Sequence, residues 1–161
     1  MKFPSTPTIL WLVLLCVCSC NSEDSSEGSM PSILGKWTVQ SVQLQIEADI
    51  NGDGVTTRNV LEDIPCYTAS FNFQSNSNCT FEAQEVESSV IAGSSEIAFN
   101  CEEIEILNFL WRIEEDQLIL TNPENSSEIV IFEWSFNEEN LIVYDVRTFQ
   151  GIPADFTFVK N

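Results

Sequence analysis

LGKWTVQSVQLQIE, residues 34–47, decides the fold. Apolar and polar residues alternate along it, with Trp37 and Val39 on one face, and the alternation changes phase near Gln40-Ser41. Successive side chains of a strand point to opposite faces of its sheet, so a period of two marks a strand with one buried face. The phase change predicts a bend or bulge at Gln40-Ser41, because one extra residue swaps the faces of a strand.

The same alternation continues towards the C-terminus. Strands are predicted at ASFNF (69–73), CTFEAQEV (79–86), FLWRIEE (109–115), QLILT (117–121), EIVIFEWSF (128–136), LIVYDVRTF (141–149) and DFTFVK (155–160), with EIAFN (96–100) and EIEIL (103–107) as short candidates. Short polar stretches such as SNSN, NPENSSE and NEEN supply the turns, and only VLEDI (60–64) suggests a turn of helix. Eight or nine strands joined in this way suit an antiparallel up-and-down meander. A long meander either closes on itself or leaves edges exposed. The expected fold is an all-β closed barrel, with a β-sandwich as the alternative.

Upstream of residue 33 the composition changes. MKFPSTPT carries Lys2, and ILWLVLLCV is an apolar run too short to span a bilayer with proper flanks. It leads into V-C-S-C (17–20) and then the polar run NSEDSSEGS. Residues 17–20 resemble the bacterial lipobox, which implies a signal peptide over 1–19 and a lipid anchor on Cys20. Cys16 and Cys18 fit that role less well, since the large Leu15 and Val17 precede them. A plain secretory signal with incidental cysteines is the alternative. Residues 20–32 then read as an acidic flexible tether, and 33–161 as the folded domain. Ser22-Glu23-Asp24 resembles the signals that export some Gram-negative lipoproteins across the outer membrane, or else it is a solvated spacer. The implied location is the outer membrane of a Gram-negative bacterium, lipid-anchored.

The whole chain carries a net charge of −19, and loss of Lys2 with the signal leaves −20. Such a surface repels nucleic acid and anionic lipid head groups. With Cys20 lipidated, Cys66, Cys79 and Cys101 remain, an odd number in an oxidising compartment. Three pairings are open. Cys66 with Cys101 is favoured, because both stand at the ends of predicted strands, and its closure is worth ~4 kcal/mol in the chain-entropy model.

Gly35-Lys36-Trp37 on the first strand resembles the lipocalin signature, in which the tryptophan packs across the base of a barrel. A lipobox and short tether precede it, and an Asp-rich loop, Pro65-Cys66 and a meander follow. Together these are similar to the lipocalin-like domain lipoproteins of Gram-negative bacteria over about residues 33–160. The resemblance implies structural roles for Gly35 and Trp37 and suggests the Cys66–Cys101 pairing. It implies no particular ligand. The chain departs from that pattern at Ser77-Asn78-Cys79-Thr80, where Cys79 is left as an unpaired thiol.

Two features bear on function. The first is DINGDGV (49–55), where Asp49, Asn51 and Asp53 fill positions 1, 3 and 5 of a D-x-[DN]-x-[DN]-G calcium loop and Gly54 fills position 6. Val55 offers a carbonyl at position 7 and Thr57 stands at position 9. Val60 replaces the usual bidentate glutamate at position 12, so the carboxylate falls to Glu62 or Asp63. Asn51-Gly52 and Asp53-Gly54 are equally favoured hairpin dipeptides, and the stretch reads as a polar turn as well. The second is the aromatic content: Trp111, Trp134, Tyr144 and several Phe residues either line a ligand cavity or fill the interior.

Catalytic chemistry finds little support. The chain has no histidine, and a serine or cysteine nucleophile needs a base. Glu102-Glu103-Glu105 and Glu114-Glu115-Asp116 pair carboxylates as a glycosidase does, but acids beside a strand usually form a solvated face. The expectation is a non-enzymatic, lipid-anchored barrel that holds a small hydrophobic molecule, with calcium as its one candidate cofactor. The competing expectation is a structural or accessory surface lipoprotein with a solid core and a calcium-stabilised loop.

Overall fold

The computed structural model describes residues 32–137, 139–147 and 151–161. The expected signal peptide, Cys20 and all of the tether except Ser32 lie outside the described residues. Nine strands run in order: β1 (Gly35–Ala48), β2 (Thr57–Asn59), β3 (Ala69–Phe73), β4 (Asn78–Val90), β5 (Ile97–Glu114), β6 (Gln117–Thr121), β7 (Ile129–Phe136), β8 (Asn140–Arg147) and β9 (Pro153–Lys160). The short helix α1 (Val60–Asp63) follows β2, where VLEDI suggested a helical turn.

Every pairing is antiparallel, and from β3 to β9 each strand neighbours the next in sequence. β1 closes the barrel. Its Gly35–Thr38 lie opposite Phe73–Ser70 of β3, and its Trp37–Leu44 lie opposite Lys160–Ala154 of β9. Eight strands thus form a closed barrel, and β2 adds a ninth against the far half of β1. The fold is a barrel and not a sandwich.

The predicted bulge is present: the register of β1 against β9 shifts between Val39 and Ser41. Its effect is visible in what is buried. Trp37 before the shift and Val42 and Leu44 after it all face inward, which a strand of strict alternation does not allow. β4 shifts between Gln84 and Val86, and β8 between Val143 and Val146. Each shift resets the inward face in the same way.

Three short strands expected at 96–100, 103–107 and 109–115 are instead one strand, β5, and β4 runs on to Val90. The breaks expected at Cys101-Glu102 and Asn108 fall inside this one strand, whose register with β4 shifts opposite the exposed Glu102 and Glu103. β3 covers only Cys79–Ala83 of β4, and β6 only Leu110–Glu114 of β5. The β4–β5 hairpin therefore extends past the barrel wall, where water satisfies its charges.

Two apolar clusters fill the interior. One gathers Trp37, Phe71, Phe73, Leu118, Leu141 and Phe158 around the start of β1 and the end of β9. Trp37 has no exposed surface and donates its indole N–H to the Ile33 carbonyl at 2.7 Å. Its ring meets Phe136 edge-on at 5.5 Å, with the Lys160 ammonium 5.2 Å from the ring centre. The second cluster, at the opposite end, joins Val42, Leu44 and Ala154 of the barrel to Ile50, Val60 and Ile64 of the segment after β1.

Candidate functional site

Between the two clusters lies a cavity of about 460 Å³. Its walls come from both: Phe71, Val143 and Phe158 from the base, Val42 and Val60 from the capped end, with Phe81, Ala83, Phe132 and Phe156 between them. Phe71 organises the aromatic side, with ring centres 4.6 Å from Phe81, 5.0 Å from Phe158 and 5.4 Å from Phe73. Polar lining residues are few. Gln84, Glu85 and Arg147 lie where β4 and β8 leave the barrel, and the exposure of Glu85 and Arg147 shows that the cavity reaches solvent on that side. Tyr67 lines the wall against Phe156, and burial pushes its hydroxyl up to about 12.

None of Trp111, Trp134 and Tyr144 lines this cavity. Trp111 packs edge-on against Phe73 and donates to the Gln74 carbonyl, sealing the barrel beside β3. Trp134 stacks on Phe136, and the Tyr144 hydroxyl bonds to Ser135. The lining falls to phenylalanines and small aliphatics that alternation marks as inward. Which inward positions face a void depends on how far opposite walls stand apart, and one strand does not encode that distance.

The capped end carries the acidic loop. Gly54 N–H donates to Asp49 Oδ2 at 2.9 Å, Asp53 N–H to Asn51 Oδ1 at 3.1 Å, and Val55 N–H to Asp53 Oδ1 at 2.7 Å. These bonds wind residues 49–55 into successive tight turns. Gly52 (φ +73°) and Gly54 (φ +87°) both take the left-handed backbone that glycine tolerates. Gly52 is also constrained by space, since a Cβ there would stand 2.5 Å from the Ser95 carbonyl oxygen. The loop leans on the turn of the β4–β5 hairpin, and Ile97 N–H bonds to the Asn51 carbonyl at 2.6 Å.

The expected ligands separate into two groups. Asp49, Asn51 and Asp53 share the loop as the spacing implies. Thr57 and Glu62 turn to each other, Oγ1 to Oε2 at 2.8 Å, and Glu62 also accepts from Asn59, the residue that caps α1. Asp63 comes to the loop in place of Glu62: Asn51 Nδ2 donates to Asp63 Oδ1 at 3.3 Å and to Asp53 Oδ2 at 3.1 Å. One oxygen each of Asp49 and Asp63 is buried without a hydrogen-bond partner. Burial pushes the Asp63 carboxyl above its ordinary value, the charges of Asp53, Asp49 and Glu62 push it the same way, and a backbone bond from Ile50 opposes them. Among the described residues, no group of three or more His, Cys, Asp or Glu side chains is arranged to hold a metal by itself.

Cys66 is joined to Cys101, linking the segment after α1 to β5 across 35 residues of chain. Cys79 is a free thiol, buried under the base with 1 % of its surface exposed. Loss of solvation pushes the thiol up to about 12, against a lowering from a backbone bond at Asn72. The acids of 102–105 and 114–116 face solvent, with Glu114 held 2.7 Å from Arg112.

A closed eight-stranded antiparallel barrel with a buried tryptophan at its base is consistent with a lipocalin-like fold. No family model, curated protein or solved structure matches the chain.

Proposed function

We propose that this protein is a lipid-anchored envelope module whose barrel takes a small hydrophobic molecule into its interior. The observation that carries the reading is the cavity of about 460 Å³, lined by aromatic and aliphatic side chains with polar groups gathered at one side. That volume falls among the roughly 300–1,000 Å³ typical of ligand pockets. A barrel of eight strands is just wide enough for side chains to fill it or for one small ligand to occupy it. In this barrel the aromatic packing around Trp37 stops short of the other end, which disfavours the competing role of a solid structural barrel. Gln84, Glu85 and Arg147 are placed to orient a polar end of the guest near solvent.

Anchoring rests on the sequence of residues 17–20 and the acidic tether behind it. A lipid on Cys20 would hold the module at the outer membrane of a Gram-negative bacterium, and Ser22-Glu23-Asp24 supports exposure at the cell surface. Multiple acyl chains hold where one alone is marginal, at about 0.8 kcal/mol per buried methylene. The charge of −20 after loss of Lys2 opposes nucleic acid as a partner. A non-catalytic role agrees with the lack of histidine in the chain.

The reading is tested by titrating the full chain with the neutral dye N-phenyl-1-naphthylamine. Saturable fluorescence enhancement is expected, and Ala83→Trp, which fills the cavity, is expected to abolish it. Equal enhancement by both proteins, or none by either, removes the ligand-binding reading. Native mass spectrometry of the protein from its own membrane reports the lipid on Cys20 and any retained guest in the same measurement.

A further inference from the structure

We infer that the guest of the barrel cavity is an anionic amphiphile, an alkyl chain ending in one carboxylate or similar oxyanion, and that Arg147 takes its head group. The inference rests on the hydrophobic-ligand reading above. It adds the sign of the charge that the cavity mouth selects.

Cations are scarce in this chain, six against 25 acids, so a carboxylate is near at hand for almost any of them. Among the described residues Lys36 pairs with Glu82, Arg58 with Glu47 and Arg112 with Glu114. Lys160 gives its ammonium to the Ser32 carbonyl and to the face of Trp37. Arg147 forms no ion pair among the described residues, and it is the one cation that lines the cavity. Neighbouring acids of β8 and β9 are engaged elsewhere: Asp145 accepts from the Gln45 amide, and Asp155 from the Asp145 N–H.

Two other polar residues share the mouth with it. Gln84 donates its side-chain amide to the Glu102 carbonyl, which leaves the guanidinium as the charged donor there. Glu85 is exposed and opposes an anion. An acid without a cation is the ordinary condition of this chain, however, whereas an arginine without an acid is the exception. The exception is what points to a ligand.

A guanidinium presents its N–H groups in a planar fork that matches the two oxygens of a carboxylate. An alkyl chain behind that head group would bury its apolar surface against Phe71, Phe81, Phe132 and Phe156. The ionic end would stay at the open side, where it keeps part of its hydration and avoids the full cost of burial. At about the 30 Å³ that one water takes in the liquid, the cavity of about 460 Å³ holds roughly 15 heavy atoms. Dodecanoate is about that size. The acids spread over the rest of the surface repel such a ligand, but salt screens them beyond about 8 Å. They slow its approach, and the contact with Arg147 decides the bound state.

The test measures how dodecanoate, dodecanol and dodecylamine displace N-phenyl-1-naphthylamine from the full chain at neutral pH and low salt, each below its micelle concentration. The Kd of the dye is determined for every protein, so that displacement yields each competitor's own Kd. Dodecanoate is expected to bind about five- to tenfold more tightly than dodecanol, and dodecylamine more weakly than dodecanoate. Arg147→Gln is expected to erase the difference between dodecanoate and dodecanol, Arg147→Lys to keep part of it, and Glu85→Gln to widen it about twofold. Both side chains are exposed, so these changes spare the core, and the head-group series on the parent decides without any variant. A parent that binds the dye and dodecanol but does not prefer dodecanoate, or that prefers dodecylamine, overturns the inference and leaves the hydrophobic-ligand reading standing. So does a full preference retained in Arg147→Gln. Absence of saturable binding by the dye and by all three dodecyl compounds overturns both.

Discussion

At one end of the barrel Trp37 is sealed among Phe136, Phe73, Leu141 and the Lys160 side chain. At the other end the barrel is covered by residues 49–66, a segment of turns, acids and one turn of helix whose main buried apolar side chains are Ile50, Val60 and Ile64. The base is held by apolar area and ladder hydrogen bonds, which need no further assistance. The cap is held by side-chain bonds to its own backbone, one covalent link to β5 and a close backbone approach at Ser95. The cavity lies between them. A barrel with two ends like the base would have no entrance and little void, so the weaker end is the one that can serve a ligand.

The base should be the more costly end to damage. Trp37→Ala removes a large side chain with no exposed surface, along with an indole bond to Ile33 and a cation–π contact. The expected loss is about 3–5 kcal/mol, read from urea denaturation. A loss no larger than that of an exposed residue would break the comparison at its first step.

The cap depends on its crosslink. Cys66→Ser with Cys101→Ser reopens a 35-residue closure and is expected to cost about 2–4 kcal/mol. The location of the damage matters more than its size. Hydrogen exchange should speed up over residues 49–66 and the start of β5, while amides of β1 near Trp37 keep their protection. Simultaneous loss of protection at both ends would mean that they form one cooperative unit.

The two ends also differ in how plainly the sequence speaks of them. Alternation around Trp37, broken at Gln40-Ser41, is enough to anticipate both the buried face and the bulge, because period two and its interruption are local properties. Read locally, β5 divides into three, with breaks at Cys101-Glu102 and at Asn108. Nothing local says that a strand there has left the barrel and so tolerates charge. β2 escapes the same reading, since Thr57-Arg58-Asn59 has no pattern and pairs only because β1 passes beside it. The Asp49–Asp53 spacing is legible for the same reason as the bulge. The choice of Asp63 over Glu62 is not, because it turns on how α1 is rotated, and Asn59 and Thr57 capture Glu62 first. The Cys66–Cys101 pairing is anticipated, but not through strand ends, since Cys101 lies inside β5 and Cys66 in the turn before β3. The cavity is not legible, since its volume belongs to opposite walls.

Charge sharpens the contrast last and least. On the outer face beside the base, Lys36 pairs with Glu82 at 2.9 Å, both half exposed, and Ser70 donates to the same oxygen. These donors, Lys36 foremost, hold the Glu82 carboxyl below its ordinary value of 4.5. A carboxyl depressed in the folded state contributes stability at neutral pH, and loses it as pH falls through its folded value. Lys36→Gln is therefore expected to cost about 0.2–1 kcal/mol at neutral pH, the ordinary worth of an exposed pair. The difference from the parent should vanish well below pH 4.5, where Glu82 is protonated, and should shrink in high salt. Denaturation curves at both pH values decide it. A penalty that persisted in acid would show that the Lys36 stem matters through packing against the barrel wall, and that the base uses its charges as structure just as the cap does.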